Sequence, residues 1–378
     1  MTLCFTRTIH SLPFKHPRFS LSNPSKRPIS NFLPHSSSKS PPLLRPISPK
    51  PHLPLFLRPP ASSATFSDLQ KFHSWAKGLA FSVGSKFLDS DNGPDTDLLC
   101  REIKWLLEDA VDDTSMLPHL GSSQNPNLTG SKLIRLKVDL DDLYSLWNQR
   151  IEERRPFQYI VGCEHWRDFV LCVEEGVLIP RPETEMIVDM VEEVVSKEKG
   201  LGKGLWADLG TGSGAIGIGI GRILEEGGRV IATDVSEVAV SVATFNVQRY
   251  GLQDKVEIRQ GSWFEPIEDV MGKLAGLVSN PPYIPRDQIP RLQAEVGKHE
   301  PRLALDGGEN GMDELLHLCE GSSFALGSGG FFAFETNGDE QSELVADIMT
   351  SKSENSFRDV KIKTDMAGIH RFVTGFRR

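Results

Sequence analysis

Seven short segments after residue 200 carry strand-like patterns of apolar residues, and amphipathic segments separate them. They predict β-strands at residues 205–207, 229–233, 255–259, 274–278, 330–334, 360–363 and 370–374. Residues 237–250 are an example of the helices that fit between the strands. This alternation indicates an α/β fold with a mostly parallel sheet and helices on both faces. Because only a short turn separates the last two segments, they predict an antiparallel hairpin at one edge of the sheet.

Residues 68–155 instead show the spacing of amphipathic helices. A first helix is predicted from apolar residues three and four positions apart, which are Leu69, Phe72, Trp75, Ala76 and Leu79. Asp95 and Thr96 are candidate caps for a second helix, and a third is expected from Asp139 onward. A polar loop at residues 121–127 lies between the second and the third. The pattern predicts a small helical domain that packs on the α/β domain or selects its partners.

The first 67 residues have a composition that cannot build a core. They contain 13 Ser, 13 Pro and nine Lys or Arg but no Asp or Glu. Organellar transit peptides are similarly basic, rich in serine and poor in acids, so we expect a transit peptide at residues 1–67. The high proline content favours a chloroplast over a mitochondrion. The alternative is a disordered basic tail that binds an anionic partner.

Charge and composition exclude several classes of protein. Of the 378 residues, positions 68–378 carry 33 basic and 51 acidic residues, a net charge of −18, which argues against nucleic-acid binding by bulk charge. The mean hydropathy is −0.26, and no apolar run reaches the roughly 18 residues of a membrane span. The five cysteines are scattered and the ten histidines lack metal-ligand spacing, so we expect neither a disulfide framework nor a metal site.

A glycine-rich segment at residues 208–216 follows the first predicted strand and opens a helix. Its central residues are Gly210, Thr211, Gly212, Ser213 and Gly214. Glycines let the backbone turn tightly and approach a ligand where a Cβ would clash. Asp234 ends the second strand, where a carboxylate accepts hydrogen bonds from ribose hydroxyls. This motif predicts an adenosine-type cofactor, with NAD and S-adenosylmethionine both allowed, or a purely structural glycine turn.

A second motif, Asn280-Pro281-Pro282-Tyr283, follows the fourth strand at the ligand-binding edge of such a sheet. The Asn280 side-chain oxygen and the Pro281 carbonyl are two acceptors suited to a planar –NH2 group. The two prolines stiffen the loop, and Tyr283 offers a flat surface to the substrate. Accepting both protons would aim the nitrogen lone pair at the methyl group of a sulfonium. The motif therefore favours S-adenosylmethionine over NAD.

The set of motifs and their order along the chain resemble those of the HemK/PrmC-type glutamine methyltransferases, which modify peptide-chain release factors. The resemblance covers residues 68–378 and is strongest from residue 154. It rests on matching segments at residues 154–162, 169–170, 176–185, 208–216, 263–264, 280–283, 299–305 and 311. It implies a small helical domain at 68–155, a β linker at 156–176 and, at 177–378, a seven-stranded Rossmann-like class I S-adenosylmethionine-dependent methyltransferase domain.

The resemblance also implies a role for particular residues. It assigns S-adenosylmethionine binding to Gly210, Thr211, Gly212, Ser213, Gly214, Asp234, Trp263 and Asn280. It assigns substrate binding to Asn280, Pro281, Pro282 and Tyr283, with Asn280, Pro281 and Tyr283 as the catalytic group. Many family members have Asp before the tryptophan, whereas this chain has Ser262, an uncharged acceptor. The implied substrate is the glutamine of a Gly-Gly-Gln loop on an organellar release factor, and the implied enzyme is a monomer that contacts neither nucleic acid nor membrane directly.

Other polar residues have a structural interpretation. Pro182, Glu183 and Glu185 suit the start of a helix, ahead of a core-facing apolar stripe at residues 186–194. Arg181 is left open between this structural role and contact with cofactor or substrate. Glu300 and Glu335 are interpreted as loop or strand-end residues. His299 and His370 are expected to be surface or packing residues, and the helical tryptophans Trp105 and Trp147 are expected to be core residues.

Two alternatives of other kinds stay open. An amino-methyltransferase of DNA or RNA would share the 280–283 chemistry, because adenine also offers a planar –NH2 group. It would need a basic surface for phosphates, which the charge of −18 argues against. The second alternative is a non-enzymatic organellar assembly protein that retains the methyltransferase fold, since a fold does not prove activity.

Overall fold

The computed structural model describes residues 53–120, 130–352 and 356–378. Most of the expected transit peptide, residues 1–52, and the expected polar loop at 121–127 lie outside the described residues. Within the described ranges, a helical domain, a short hairpin and a seven-stranded sheet follow one another along the chain. No helix of these ranges is both long enough and apolar enough to span a membrane.

The helical domain is built around three α-helices. They are α1 (Phe66–Asp91), α2 (Thr96–Ala110) and α3 (Leu140–Asn148), and a π-helical turn, Gln149–Glu153, continues α3. The side chain of Asp95 accepts from the Leu98 amide at 2.7 Å and caps α2, as predicted. The indole of Trp147 is fully buried and donates to the Ala76 carbonyl of α1 at 3.2 Å. The predicted helices and their inward faces are confirmed.

The boundary predicted at residue 67 is wrong, because the domain begins earlier. Strand β1 (Ser62–Thr65) pairs antiparallel with β2 (Leu133–Leu136), and the Thr65 hydroxyl caps α1. Leu55 is buried in the same core as α1 and α2. Ser, Pro and Arg dominate the composition of residues 1–67 and hide this role, but Leu55, Ala64 and Phe66 contribute to the core of the helical domain.

A short linker joins the two domains. It contains α4 (Phe157–Val161) and an antiparallel hairpin of β3 (Cys163–Trp166) and β4 (Phe169–Cys172). Asn246, on a helix of the following domain, donates to and accepts from the Cys172 backbone, so the linker is tied to that domain. The expected β linker thus forms two strands and one short helix.

The C-terminal domain has the predicted sheet. Its strands are β5 (Leu205–Leu209), β6 (Arg229–Asp234), β7 (Val256–Gln260), β8 (Leu274–Ser279), β9 (Leu326–Glu335), β10 (Phe357–Thr364) and β11 (His370–Arg377). Their order is β10-β11-β9-β8-β5-β6-β7. Strands β5 to β9 are parallel, and β11 pairs antiparallel with both β9 and β10. The α/β class, the seven strands and the hairpin at one edge are confirmed.

Helices cover both faces of this sheet. They are α5 (Glu185–Lys197), α6 (Ala215–Ile223), α7 (Glu237–Arg249), α9 (Asp313–Ala325) and α10 (Asp339–Asp347), while the short helix α8 (Ala294–His299) lies at the junction with the helical domain. One core contains Trp206 with residues of α5, α6 and α7, and the other contains Ala207 with residues of α9 and α10. Since neighbouring strand residues point to opposite faces, the two cores lie on opposite sides of the sheet.

Helix α5 begins later than the sequence suggests. Thr184 occupies its N-cap position, so Pro182 and Glu183 belong to the preceding turn and only Glu185 lies in the first helical turn. The expected apolar stripe faces the core, with Ile187, Met190, Val191 and Val194 buried.

Candidate active site

The two sequence motifs meet at the carboxyl edge of the sheet. Leu209, the last residue of β5, pairs with Ser279, the last residue of β8, and the Ser279 hydroxyl donates to the Leu209 carbonyl at 2.7 Å. Gly210 and Asn280 are therefore the next residues on two adjacent parallel strands. Ligands bind at this edge in open α/β sheets.

The glycine loop adopts a conformation that favours glycine at every second position. Gly210, Gly212 and Gly214 have φ angles of 75°, 57° and 86°. The Gly210 and Thr211 amides both donate to the Thr233 carbonyl at 2.9 Å, which fixes the loop to the end of β6. The loop leads directly into α6 at Ala215.

Asp208 supports the glycine loop from below. Its Oδ2 accepts from the Thr211 hydroxyl at 2.5 Å and from the Gly217 amide at 2.9 Å. Burial raises the pKa of the Asp208 carboxyl to about 7, and these two hydrogen bonds oppose the rise. The Asp208 Oδ1 atom and the Ser213 hydroxyl are buried without a hydrogen-bond partner among the described residues.

Asp234 lies beside the loop, as predicted. Its Oδ2 accepts from the Gly212 amide and its Oδ1 accepts from the Ser236 amide, both at 2.9 Å. Burial raises the pKa of Asp234, and the backbone amides oppose this. Each carboxylate oxygen has a further lone pair, so the same side chain can hold the loop and accept a ribose hydroxyl.

Trp263 lies over the start of the glycine loop. The Trp263 ring lies 3.6 Å from the position that a Cβ of Gly210 would occupy, an ordinary van der Waals distance, so the indole packs beside the start of the loop. The preceding Ser262 is exposed, and its carbonyl accepts from the Glu265 amide in a short turn. Trp263 thus lies next to the loop that would hold the cofactor, and its place beside the adenine stays a prediction.

These features fit S-adenosylmethionine. The glycine backbone, with positive φ angles at Gly210, Gly212 and Gly214, gives a ligand close access to the loop. Asp234 and Trp263 are suited to a ribose and an adenine ring. The loop, Asp234 and Trp263 would hold the cofactor, which supplies a transferable methyl group when bound.

The substrate motif is held by a chain of hydrogen bonds. The Asn280 Nδ2 group donates to the Thr184 hydroxyl at 3.1 Å, and that hydroxyl donates to Glu335 Oε2 at 2.7 Å. The Tyr283 hydroxyl donates to the other oxygen, Glu335 Oε1, at 3.1 Å. Since Phe334 pairs with Ser279, Glu335 at the end of β9 lies beside Asn280. This chain of hydrogen bonds uses the Asn280 nitrogen and does not involve its Oδ1 atom.

A second segment supports the back of residues 280–283. The Ile284 amide donates to the Leu305 carbonyl at 3.0 Å, and the Gly307 amide donates to the Ile284 carbonyl at 2.9 Å. Gly311, with φ of 71°, approaches so closely that a Cβ there would lie 2.3 Å from the Tyr283 carbonyl oxygen. The family-like segment 299–311 therefore shapes the substrate loop.

Gln341 of α10 holds the same turn from the other side. Its Nε2 group donates to the Tyr283 carbonyl at 3.1 Å and to the Gly311 carbonyl at 2.8 Å, while its Oε1 atom accepts from the Asn337 amide at 2.7 Å. Nothing in the local sequence pattern indicates this residue, because its partners lie 30 and 58 positions away.

Arg181 and Glu300, both left undecided by the sequence, pair with each other. The Arg181 Nη2 group donates to Glu300 Oε1 at 2.5 Å, and Glu300 Oε2 accepts from the Ile179 amide at 3.2 Å. The Trp166 indole donates to the Arg181 carbonyl at 2.8 Å. These contacts join segment 176–185 to segment 299–305 and give both residues a structural role.

A buried ionic cluster joins the two domains next to the substrate loop. Glu295 of α8 accepts from Arg150 at 2.8 Å and from Arg154 at 2.7 and 2.6 Å. Arg150 also pairs with Glu102, and Arg154 also pairs with Asp91. Burial raises the pKa of Glu295, but the hydrogen bonds and positive charges of the two arginines outweigh this effect and lower the pKa overall. The cluster fixes the helical domain against the chain that follows residues 280–283.

Over residues 53–120, 130–352 and 356–378, no three His, Cys, Asp or Glu side chains are grouped so that they could hold a metal ion. The site consists of the glycine loop with its acidic neighbour and an Asn-Pro-Pro-Tyr loop on the adjacent strand. Together with the seven-stranded sheet, they define a class I S-adenosylmethionine-dependent methyltransferase that acts on a planar amino or amide group.

Comparisons with known proteins narrow this class. Residues 186–297 match the family model described as Methyltransferase small domain. A release factor glutamine methyltransferase of Synechocystis sp. is 38% identical over 72% of this chain and 88% of its own length. Proteins with the same name are 40% identical in Thermosynechococcus vestitus, over 64% of this chain and 80% of theirs, and 36% identical in Gloeobacter violaceus, over 74% and 91%.

The chain belongs to the release factor glutamine methyltransferase family. It is an S-adenosylmethionine-dependent protein-(glutamine-N5) methyltransferase, and its resemblance to that family is confirmed.

Proposed function

We propose that the chain methylates the glutamine of the Gly-Gly-Gln loop of an organellar peptide-chain release factor. The observation that carries the proposal is the orientation of Asn280, whose amide nitrogen is bound to Thr184 and whose oxygen is left for the substrate. Relatives that share most of the chain are named for methylation of release factor glutamine. A substrate with a planar amide matches the acceptors that the loop provides.

The residues of the loop orient and polarise the glutamine amide. Asn280 Oδ1 accepts one N–H of the substrate and the Pro281 carbonyl accepts the other, which withdraws the nitrogen lone pair from amide resonance. The glycine loop, Asp234 and Trp263 would hold S-adenosylmethionine, which would supply an electrophilic methyl group. The substrate amide nitrogen, as it gains that methyl group, would release one of its two protons to water. Tyr283 packs against the flat amide and limits its rotation.

The helical domain is proposed to hold the body of the release factor. A Gly-Gly-Gln loop is flexible, so the enzyme must order it, and one additional contact surface reduces the entropy cost of doing so. The Glu295 cluster supports this role, because it fixes the helical domain relative to the chain that follows residues 280–283.

A methyl-transfer assay tests the proposed substrate. Wild-type enzyme and labelled S-adenosylmethionine should label a purified organellar release factor but neither its loop Gln→Ala variant nor a DNA duplex. Asn280→Ala removes one of two amide acceptors, so kcat should fall by roughly 10²–10³. Labelling of the DNA, or undiminished labelling of the loop variant, would contradict the glutamine assignment and favour the nucleic-acid alternative.

The proposed location is the chloroplast, with the mitochondrion as the alternative. The support is the acid-free composition of the N-terminal residues, which is typical of transit peptides. Fluorescent fusions of residues 1–52 and of the full chain should both enter the organelle, whereas a chain beginning at Leu53 should remain in the cytosol. Cytosolic fluorescence from the full-length fusion would contradict this location.

A further inference from the structure

We propose that Thr184 and Glu335 are positioning residues that set the direction of the hydrogen bonds to Asn280 and Tyr283 and thereby keep the Asn280 oxygen turned toward the substrate amide. The inference rests on the glutamine methylation proposed above. It gives a part in the reaction to Thr184, which the sequence analysis did not single out, and to Glu335, which it interpreted as a loop or strand-end residue.

The direction follows from counting protons. A carboxylate only accepts, so the single proton of the Thr184 hydroxyl is donated to Glu335 Oε2, at 2.7 Å. The hydroxyl then has only lone pairs to offer Asn280, so it accepts a hydrogen bond from the Asn280 Nδ2 group, at 3.1 Å. The amide is planar, so its Oδ1 atom points to the opposite side. With the amide reversed, an N–H group would meet the N–H groups of the substrate.

Both positioning groups are buried and belong to rigid elements. Thr184 is 4% exposed and Glu335 is 1% exposed. Thr184 is fixed at the start of α5, where its amide donates to the Arg181 carbonyl and its carbonyl accepts from the Ile187 amide. Glu335 ends strand β9, which lies between β8 and β11 inside the sheet. Neither side chain can move far without leaving a buried polar group unpaired, which is costly.

One carboxylate therefore controls both functional side chains of the loop. Glu335 Oε1 receives the Tyr283 hydroxyl at 3.1 Å, while Oε2 acts on Asn280 through Thr184. If the carboxyl gains a proton, one of its oxygens becomes a donor, and one of the two hydroxyls must then become an acceptor. If the Thr184 hydroxyl accepted from Glu335, it would donate its own proton to Asn280. The Asn280 amide would then turn its oxygen toward Thr184, and the substrate would lose that acceptor.

The surroundings of Glu335 place this change near neutral pH. Burial raises the pKa of its carboxyl to about 7, against the lowering effects of the Thr184 and Tyr283 hydroxyls and of the Arg371 charge. The charged or titratable groups around the carboxyl are Glu183, Arg371 and Tyr283, with Arg181 acting on the tyrosine. Since the pKa is raised, the carboxylate is present above about pH 7 and is lost as the pH falls through that value.

Substitutions at Thr184 test the role directly, with kinetics measured on purified release factor. Thr184→Val keeps the shape but removes the hydroxyl, so kcat should fall about 10- to 100-fold, while KM for the release factor and affinity for S-adenosylmethionine stay within about threefold. Thr184→Ser keeps the hydroxyl and should retain kcat within about threefold of wild type. Thr374→Val, at a buried threonine of β11 whose hydroxyl donates to the Lys361 carbonyl, is the matched control and should behave as wild type.

The pH profile separates positioning from a merely structural role. For the wild type, kcat should decline as the pH falls below about 7, because protonation of Glu335 reverses the chain of hydrogen bonds. Glu335→Gln has no ionisable group at this position, so its kcat should be lower but should lack that acid limb. A wild-type profile that stays flat to pH 5.5, or an unchanged acid limb in Glu335→Gln, would overturn the proposal.

The kinetic outcomes also distinguish this proposal from the proposed function. An active wild type with an equally active Thr184→Val variant would overturn the positioning role alone. So would a Thr184→Val defect confined to KM, or a Thr184→Ser variant as impaired as Thr184→Val. A wild type that binds S-adenosylmethionine but transfers no methyl to the loop glutamine would overturn the proposed function, and with it this inference.

Discussion

Replacing Glu295 with alanine should weaken the junction between the two domains. The substitution removes three charge-assisted hydrogen bonds, of 2.8, 2.7 and 2.6 Å, from two buried arginines. Arg150 keeps Glu102 at 2.7 Å and Arg154 keeps Asp91 at 3.1 Å, so neither arginine is left without a carboxylate. Breaking a buried pair completely costs about 3–5 kcal/mol. We therefore expect a loss near the lower limit, about 3 kcal/mol.

Urea unfolding followed by tryptophan fluorescence measures this loss. Glu152→Ala is a matched control, because Glu152 is an exposed glutamate on the same turn as Arg150 and should change stability by less than about 0.5 kcal/mol. KM for the release factor should rise in Glu295→Ala, because the helical domain is no longer fixed relative to the substrate loop, while S-adenosylmethionine affinity changes little. Stability and KM both equal to those of Glu152→Ala would refute the role of the cluster.

The remaining predictions concern the cofactor site, the domain boundary and the substrate loop. Asp234→Ala should weaken S-adenosylmethionine binding by roughly 1.5–3 kcal/mol in calorimetry, because the ribose hydroxyls lose a charged acceptor; equal affinity would remove the residue from this role. A chain beginning at Asp68 should melt well below one beginning at Leu53, since it lacks β1 and the buried Leu55; identical melting temperatures would restore the boundary at residue 67. Gly311→Ala should lower kcat and stability together, because its Cβ would collide with a carbonyl of the substrate loop; wild-type values for both would contradict that contact.

Most strands of the sheet could be predicted because each buried strand is a short run of mainly apolar residues in the sequence. β8, for example, is a continuous apolar segment, as expected for a parallel strand covered on both faces. The polar segment Ser62–Thr65 carries no such signal. It becomes a strand by pairing with Leu133–Leu136, about 70 positions away, and no local pattern shows that pairing.

The candidate site divides in the same way. The two loops of the site could be predicted because each is a run of consecutive residues with characteristic glycines or prolines. The parallel pairing of β5 and β8 then brings the two loops together at one edge of the sheet. No local pattern predicts the contacts that orient the substrate loop and join the two domains, because these contacts connect distant positions. Thr184 and Glu335 are 151 residues apart, and Arg154 and Glu295 are 141 apart. A strand-end glutamate or a helix-start threonine looks structural until the fold places it beside Asn280.

Mass spectrometry of the organellar release factor tests the central claim most directly. Release factor is isolated from cells with and without this protein, and the peptide containing the Gly-Gly-Gln loop is sequenced. The glutamine should carry the mass of one added methyl group on its side-chain amide in the first sample and none in the second, with methylation restored by wild-type enzyme but not by Asn280→Ala. A loop glutamine methylated to the same extent in cells that lack the protein would contradict the assignment.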